Sequence, residues 1–271
     1  MITLHILELR ADQTLHLGVG RGSGFSGPTH TYVPAPTLRG ALAAAWWLRN
    51  PTAAQDHFDA LIGGLSFTNA VIPLTDDPLA PTVIGLDRQL CKYRQPGCPI
   101  DGHAWWVTRC PTCHGRPEPA RGVRDLERFV HAMTRVELSD DERALDDHLY
   151  EREGLVLGDG RLKALIAGDP TPLVAEGDVV RVGGQRSVSG RMTVTGLVPA
   201  EAVPQKLVGG HETALRVQLL TPGVYVDAFG RPVNRPSQAD LRWSLGLADA
   251  TQLKIERAFT RWTVAAGWHT R

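Results

Sequence analysis

The chain has 271 residues, 42% of them hydrophobic, with 29 Lys+Arg against 29 Asp+Glu. That length can bury a core as one large domain or two small ones, and zero formal charge excludes a protein that coats nucleic acid by bulk charge alone. The charge is unevenly spread: residues 88–135 hold nine Lys+Arg against four Asp+Glu, whereas 137–153 hold two against eight. Of the 29 basic residues 25 are arginine, which fits either a compositional bias or bidentate phosphate contact.

Met1-Ile2-Thr3-Leu4-His5-Ile6 lacks the basic start and long apolar run of a signal peptide, and no window reaches the ~18 apolar residues of a membrane span. The expectation is a soluble, cytoplasmic protein with no membrane partner. Its four cysteines are then thiols or metal ligands rather than disulfides.

Ile2–Leu9 alternates as a strand does. Gly22, Gly24 and Gly27 spell G-x-G-x-x-G, but a dinucleotide site needs a helix to open there. Pro28 and the β-rich Thr29–Val33 follow instead, which rejects that reading. Thr37, after Pro36, is the expected N-cap of a helix running through Trp46-Trp47 to Asn50-Pro51. Arg39 would sit in the first turn, either simply solvated or joining free N–H groups around an anion. Gly40 inside the helix predicts close approach by another backbone. A short helix near Ala54–Leu61 and a strand at Leu65–Leu74 come next, then proline-rich irregular sequence.

Cys91, Cys98, Cys110 and Cys113 give C-x6-C-x11-C-x2-C. The closing C-x-x-C reads as a zinc knuckle, and four crowded thiolates favour a closed tetrahedral structural site. The first pair is widely spaced, so His103 or His114 is an alternative ligand to Cys91 or Cys98. A redox pair or unbound thiols is the competing reading.

Glu137–Asp147 reads as acidic, turn-rich and exposed, and His148–Leu157 as a strand. Gly158–Ile166 is expected to hold a turn and a short helix, and Pro170–Ala175 another. Asp178–Val182 and Met192–Val198 are strands flanking a glycine-rich link. Ala214–Leu220, Gly223–Asp227 and Ile255–Val264 are further strand candidates, with a helix at Gln238–Leu245. The link contains Gly183, Gly184, Arg186, Ser187, Ser189, Gly190 and Arg191. Exposed amides, hydroxyls and guanidiniums on one glycine-rich turn suit phosphate oxygens, although an ordinary polar hairpin has the same letters. The fold class is α+β, because strands and helices mix without regular βα alternation.

Taken in order, several motifs resemble the RAMP superfamily of CRISPR effector subunits. They are Pro36-Thr37-Leu38-Arg39-Gly40-Ala41-Leu42, Leu65-Ser66-Phe67-Thr68-Asn69-Ala70, the cysteine insertion, Leu149-Tyr150-Glu151-Arg152-Glu153-Gly154-Leu155, and Gly183-Gly184-Gln185-Arg186-Ser187-Val188-Ser189-Gly190. The order looks most like the type III-D subunit that caps the crRNA-binding end of its complex. Asp159-Gly160-Arg161 departs from the family, which tends to carry a glycine and an aromatic there. Ala266-Gly267-Trp268 looks like a motif that continues onward in the family, so a further C-terminal segment is expected.

The resemblance implies a ferredoxin-like, RRM-like βαββαβ fold in two units, with a zinc-bearing insertion. The expected parts are 1–87, a zinc-binding insertion at 88–136, and 137–271 with the glycine-rich loop. The implied role is non-catalytic. The chain would bind the repeat-derived 5′ handle of crRNA, cap the effector complex and join the large polymerase-like subunit to the backbone RAMP subunits, meeting target RNA indirectly. Arg39 and Gly40, with Gly183, Gly184, Arg186, Ser187, Gly190 and Arg191, would contact RNA backbone. Two alternatives remain. One is an RNA-cleaving RAMP subunit using Asp76 or Asp77, or His30 beside Tyr32; the other is an unrelated zinc-containing interaction module.

Overall fold

The computed structural model describes residues 3–19, 26–73, 87–92, 95–99, 102–119, 129–138, 144–183, 189–200, 225–244 and 253–260. In chain order the strands are β1 (Leu4–Ala11), β2 (Ser26–Gly27), β3 (Ser66–Phe67), β4 (Arg88–Cys91), β5 (His103–Ala104), β6 (Pro117–Pro119), β7 (Val130–Leu138), β8 (Ala144–Leu155), β9 (Arg161–Ala167), β10 (Val179–Arg181), β11 (Arg191–Ala200), β12 (Tyr225–Val226) and β13 (Pro232–Val233). The helices are α1 (Ala35–Arg49), α2 (Gln55–Gly63) and α3 (Gln238–Ser244). The chain divides into two compact units, Met1–Thr82 with Arg124–Leu220 and Val83–Val123 with Thr221–Arg271. The architecture is mixed α and β. Among the described residues no helix is long and apolar enough to cross a membrane.

The first unit is built on a five-stranded sheet in the order β10-β11-β1-β9-β3, with every neighbouring pair antiparallel. One face is apolar: burial alternates cleanly along β9 and the first half of β11, whereas β1 buries His5, Ile6 and Leu7 in succession. Leu7, Leu9 and Ala11 of β1 lie beside Leu162, Ala164 and Ile166 of β9 and Met192 and Val194 of β11, all buried. Helix α1 adds Leu38, Ala41, Leu42 and Trp46, an i, i+3, i+4, i+8 stripe. Burying each of the larger side chains contributes roughly 1.5–3 kcal/mol before entropy is counted. The end of α1 is fastened to the 168–178 segment. Arg49 Nη1 meets Asp178 at 2.5 Å, Arg49 Nη2 donates to the Leu173 carbonyl at 2.6 Å, and Trp46 Nε1 donates to the Pro172 carbonyl at 3.1 Å.

Strands β7 and β8 form a long antiparallel pair, with β2 parallel to β8 and Leu15 bridged to Leu155. The acidic stretch expected to be turns therefore lies largely in strands, with residues 139–143 outside the described part. Segment 161–167 is also a strand rather than a short helix. Its Leu, Ala and Lys are good helix formers, but pairing with β1 and β3 decides. Pro170–Ala175 makes turns and no helix. The expected strand at Leu65–Leu74 shortens to β3 plus single bridges at Ala70 and Val71, with Leu74 outside the described residues.

Helix α1 begins three residues earlier than expected. Pro34 occupies the cap position without a side-chain cap bond, which leaves Thr37 in the first turn. The free Ala35 N–H instead donates to Asn69 Oδ1 at 2.8 Å, brought there by the Val33–Ala70 backbone bridge. Asn69 is thus a cap supplied from a distant segment. Asn69→Ala should cost about 1 kcal/mol, the usual worth of a cap, read as a lowered denaturation midpoint at unchanged m-value.

The second unit holds a three-stranded sheet, β5-β4-β6, the β12–β13 hairpin and α3. Residues 253–260 carry no strand, so the candidate at Ile255–Val264 fails over its described part. Arg257 stacks on the Trp105 ring at 3.8 Å, and Phe259 lies 6.1 Å from it. These side-chain contacts hold 253–260 against the cysteine segment without ladder pairing. The candidate strand at Ala214–Leu220 lies outside the described residues.

Candidate nucleic-acid interface and metal centre

The glycine-rich link joins β10 to β11, as its flanking alternation predicts. Gly184, Gln185, Arg186, Ser187 and Val188 lie outside the described residues, so the structure describes the base of the turn. There the Val182 N–H donates to the Gly190 carbonyl and the Gly190 N–H to the Thr14 carbonyl, both at 2.9 Å. Gly183 and Gly190 have φ of +75° and +80°. A Cβ on Gly183 would run into the His16 carbonyl oxygen, and one on Gly190 into that of Val182. Both positions therefore require glycine for conformation and for space.

The far side of this base is the segment after β1. Arg191 N–H donates to Gln13 Oε1 at 3.2 Å, and Asp12 N–H donates to the Arg191 carbonyl at 3.0 Å. The Asp12 carboxylate takes the Thr193 hydroxyl at 2.6 Å, Arg10 Nε at 3.0 Å and lies 3.7 Å from Arg191 Nε. Arg191 is exposed, as a phosphate contact requires, whereas Ser189 is buried and its hydroxyl belongs to the interior. His16 is also buried. Its Nδ1 lies 2.9 Å from the Glu153 carbonyl, and its Nε2 has no partner among the described residues.

Sequence reading missed Asp12 and Gln13, since nothing local marks a residue as the footing of a loop 170 positions later. It also missed Glu8, whose carboxylate binds Lys163 at 2.9 Å and Arg161 at 3.2 Å. The Lys163 hydrogen bond, and then its charge and those of Arg161, hold Glu8 below its ordinary 4.5. The Thr193 hydroxyl and then Arg10 and Arg191 hold Asp12 below 3.8. Carboxyls depressed in the folded state stabilise it above their ordinary values and lose that contribution as pH falls through the folded ones. The thermal midpoint should therefore drop as pH is lowered from about 5 to 3, and Glu8→Gln should make that drop shallower.

Arg39 is exposed in the second turn of α1, one turn later than expected, and its Nη2 reaches the Ile62 carbonyl at 3.4 Å near the end of α2. Gly40 is exposed too, and a Cβ there would meet nothing within 4 Å. The predicted approach by another backbone is absent among the described residues. Gly40→Ala should accordingly stabilise the chain by about 0.5–1 kcal/mol, because alanine loses less entropy in a helix. A requirement for glycine at this position then shows only in ligand affinity.

In the second unit the four cysteines converge. Their sulfurs all lie within 4.8 Å of one another, and Cys98 and Cys110 are 3.8 Å apart. Four sulfurs at about 2.3 Å from a tetrahedral ion stand about 3.8 Å apart, so the donor set fits Zn²⁺. All four are free cysteines. Cys110 Sγ accepts the Thr112 and Cys113 N–H groups at 3.4 and 3.5 Å, and the turn closes with His114 at φ +56°. The Cys113 N–H leads in lowering the Cys110 thiol to about 5, whereas burial pushes Cys91 up. His103, buried, sits 3.2 Å from Cys91 Sγ through Nε2, close enough to the sulfur cluster to bond to it.

Of the candidate catalytic groups, Asp76 and Asp77 lie outside the described residues. The His30 and Tyr32 rings are together, 4.9 Å between centroids, with burial lowering the imidazole from 6.5 and raising the phenol from 10.0.

No family model and no curated protein matches the sequence. Among solved structures the chain is similar to a chain of the type III-B Cmr-beta complex bound to cognate target RNA, at 11% identity and TM-score 0.47, over 72% of this chain and 96% of that one. It is similar to a chain of the apo type III-B Cmr-beta complex, at 11% identity and TM-score 0.41, over 73% and 98%. Oligomeric Cmr4 from Pyrococcus furiosus is similar at 13% identity and TM-score 0.36, over 74% and 100%.

Proposed function

We propose that this chain is a non-catalytic RAMP-superfamily subunit of a type III CRISPR effector, which grips the repeat-derived 5′ handle of crRNA and caps the complex. The observation that carries the reading is the base of the Gly183–Arg191 turn. Two glycines that tolerate no Cβ, pinned to the 12–16 segment, fix the two ends of a link whose sequence carries Arg186, Ser187 and Arg191. A turn fixed at its base presents amides and guanidiniums to phosphate oxygens at a low ordering cost. Arg39 and Gly40 add an exposed cation and a bare backbone on α1. The order β11-β1-β9-β3, with both helices between β1 and β3, supports a ferredoxin-like assignment of this sheet. The second such unit, the backbone RAMP and large polymerase-like subunits as neighbours, and a cytoplasmic site of action belong to the same proposal.

Zinc held by Cys91, Cys98, Cys110 and Cys113 would be structural, since four protein ligands leave no position for water. RNA cleavage is the second reading, and the His30–Tyr32 pair is the observation in its favour: an imidazole held neutral is a competent base. His30→Ala is expected to leave RNA lengths unchanged in the assembled complex. For the main reading, Arg186→Ala with Arg191→Ala should abolish RNA retention while the circular dichroism spectrum is kept. Full retention by that double variant refutes it.

A further inference from the structure

The sheet face opposite the buried one carries a row of arginines, and that row starts at the glycine-rich turn. Register fixes it: Arg181 pairs with Arg191 across β10 and β11, Arg10 pairs with Thr193 across β1 and β11, and Arg10 pairs with Arg161 across β1 and β9. Alternation puts these side chains opposite Val180, Met192, Leu9, Ala11 and Leu162, which are all buried. The ion pairs agree, because Asp12 contacts both Arg10 and Arg191, and Glu8 contacts both Arg161 and Lys163. Arg10, Arg161, Arg181 and Arg191 are all exposed.

We infer that this row is a track for single-stranded RNA, carrying the sugar–phosphate backbone from the glycine-rich turn across four strands to Arg161. The inference rests on the RNA-binding reading above and adds a path to it. Three inter-strand spacings make the row about 14 Å long, the shape of a linear polyanion rather than of a point anion. Arg10, Arg161, Arg191 and Lys163 share the two carboxylates of Asp12 and Glu8, so these four cations outnumber the carboxylates they pair with. Guanidinium forks bind phosphate oxygens in pairs, and the exposed edges of these four are where such oxygens would lie. An acidic protein segment would also be attracted. RNA is favoured because the row is continuous with the turn and one cation deep.

The test uses the full chain and a fluorescent single-stranded RNA of mixed sequence, with affinity followed against salt. Arg10→Gln with Arg161→Gln lies outside the turn, and Thr193, Arg191 and Lys163 remain to hold Asp12 and Glu8. We expect affinity to fall about tenfold and the slope of log K against log salt to lessen by about 1.4, at about 0.7 per lost phosphate contact. Arg10→Lys with Arg161→Lys should keep the slope. Glu8→Gln, which removes a competing carboxylate, should tighten binding. An unchanged slope in the Gln variant, with binding still lost in Gly183→Ala, overturns the track and leaves the turn as the RNA site. Polyglutamate competing as well as RNA at equal charge overturns it in favour of an acidic protein partner. A wild-type chain that binds no RNA overturns the track and the RNA-binding reading together.

Discussion

Cys110→Ser is expected to take the purified protein from about one bound zinc per chain to none, and to unfold the second unit. Structural zinc contributes on the order of 10–16 kcal/mol of apparent binding free energy in small zinc modules, and that energy is folding energy. The dependence should be heavy here. The sheet of the cysteine module has strands of four, two and three residues, and its buried apolar side chains among the described residues are few: Leu90, Pro117 and the cysteines Cys91 and Cys110. Hydrogen exchange should show residues 87–119 losing protection while the β1–β9–β11 sheet keeps its own, since the units are separately compact. A strong chelator should reproduce the effect in the wild-type chain. A metal-free wild-type protein with the same exchange pattern would restore the unbound-thiol reading.

Gly190→Ala should destabilise the first unit by about 2–3 kcal/mol, from an unfavourable positive φ and a backbone collision together. A midpoint fall of about 4–12 °C follows for a unit of this size. The collision is with the Val182 carbonyl, which accepts no slack because the Val182 N–H is itself bonded to the Gly190 carbonyl. RNA affinity should fall further than stability does, since the turn can escape only by splaying its base. Gly40→Ala is the control of opposite sign in stability. A Gly190→Ala protein of wild-type midpoint would show that the base of the turn is not the fixed frame described.

Much of the candidate site was legible because its chemistry is local. Cys110-Pro111-Thr112-Cys113 announces a knuckle by spacing, and glycines between two alternating runs announce a turn. The residues that hold those features were not legible, because they come from far along the chain. Asn69 caps α1 from 34 positions away, and Asp12 and Gln13 brace a loop 178 or more residues on. The misreadings share one cause. Arg161–Ala167 carries a clean two-residue alternation, seen in its burial, but its letters favour a helix and propensity outweighed period. The acidic 137–147 stretch looked too polar for a strand, although antiparallel partners can hold polar residues on a solvated face. Thr37 looked like the cap only because the true cap bond is made by another segment.

The most direct test of the central claim is to purify the tagged chain from its native host and sequence the RNA that accompanies it. The account predicts a discrete set of short RNAs sharing one repeat-derived 5′ end, co-eluting with other RAMP subunits. An RNA-free, zinc-containing monomer would contradict it and leave an interaction module in its place.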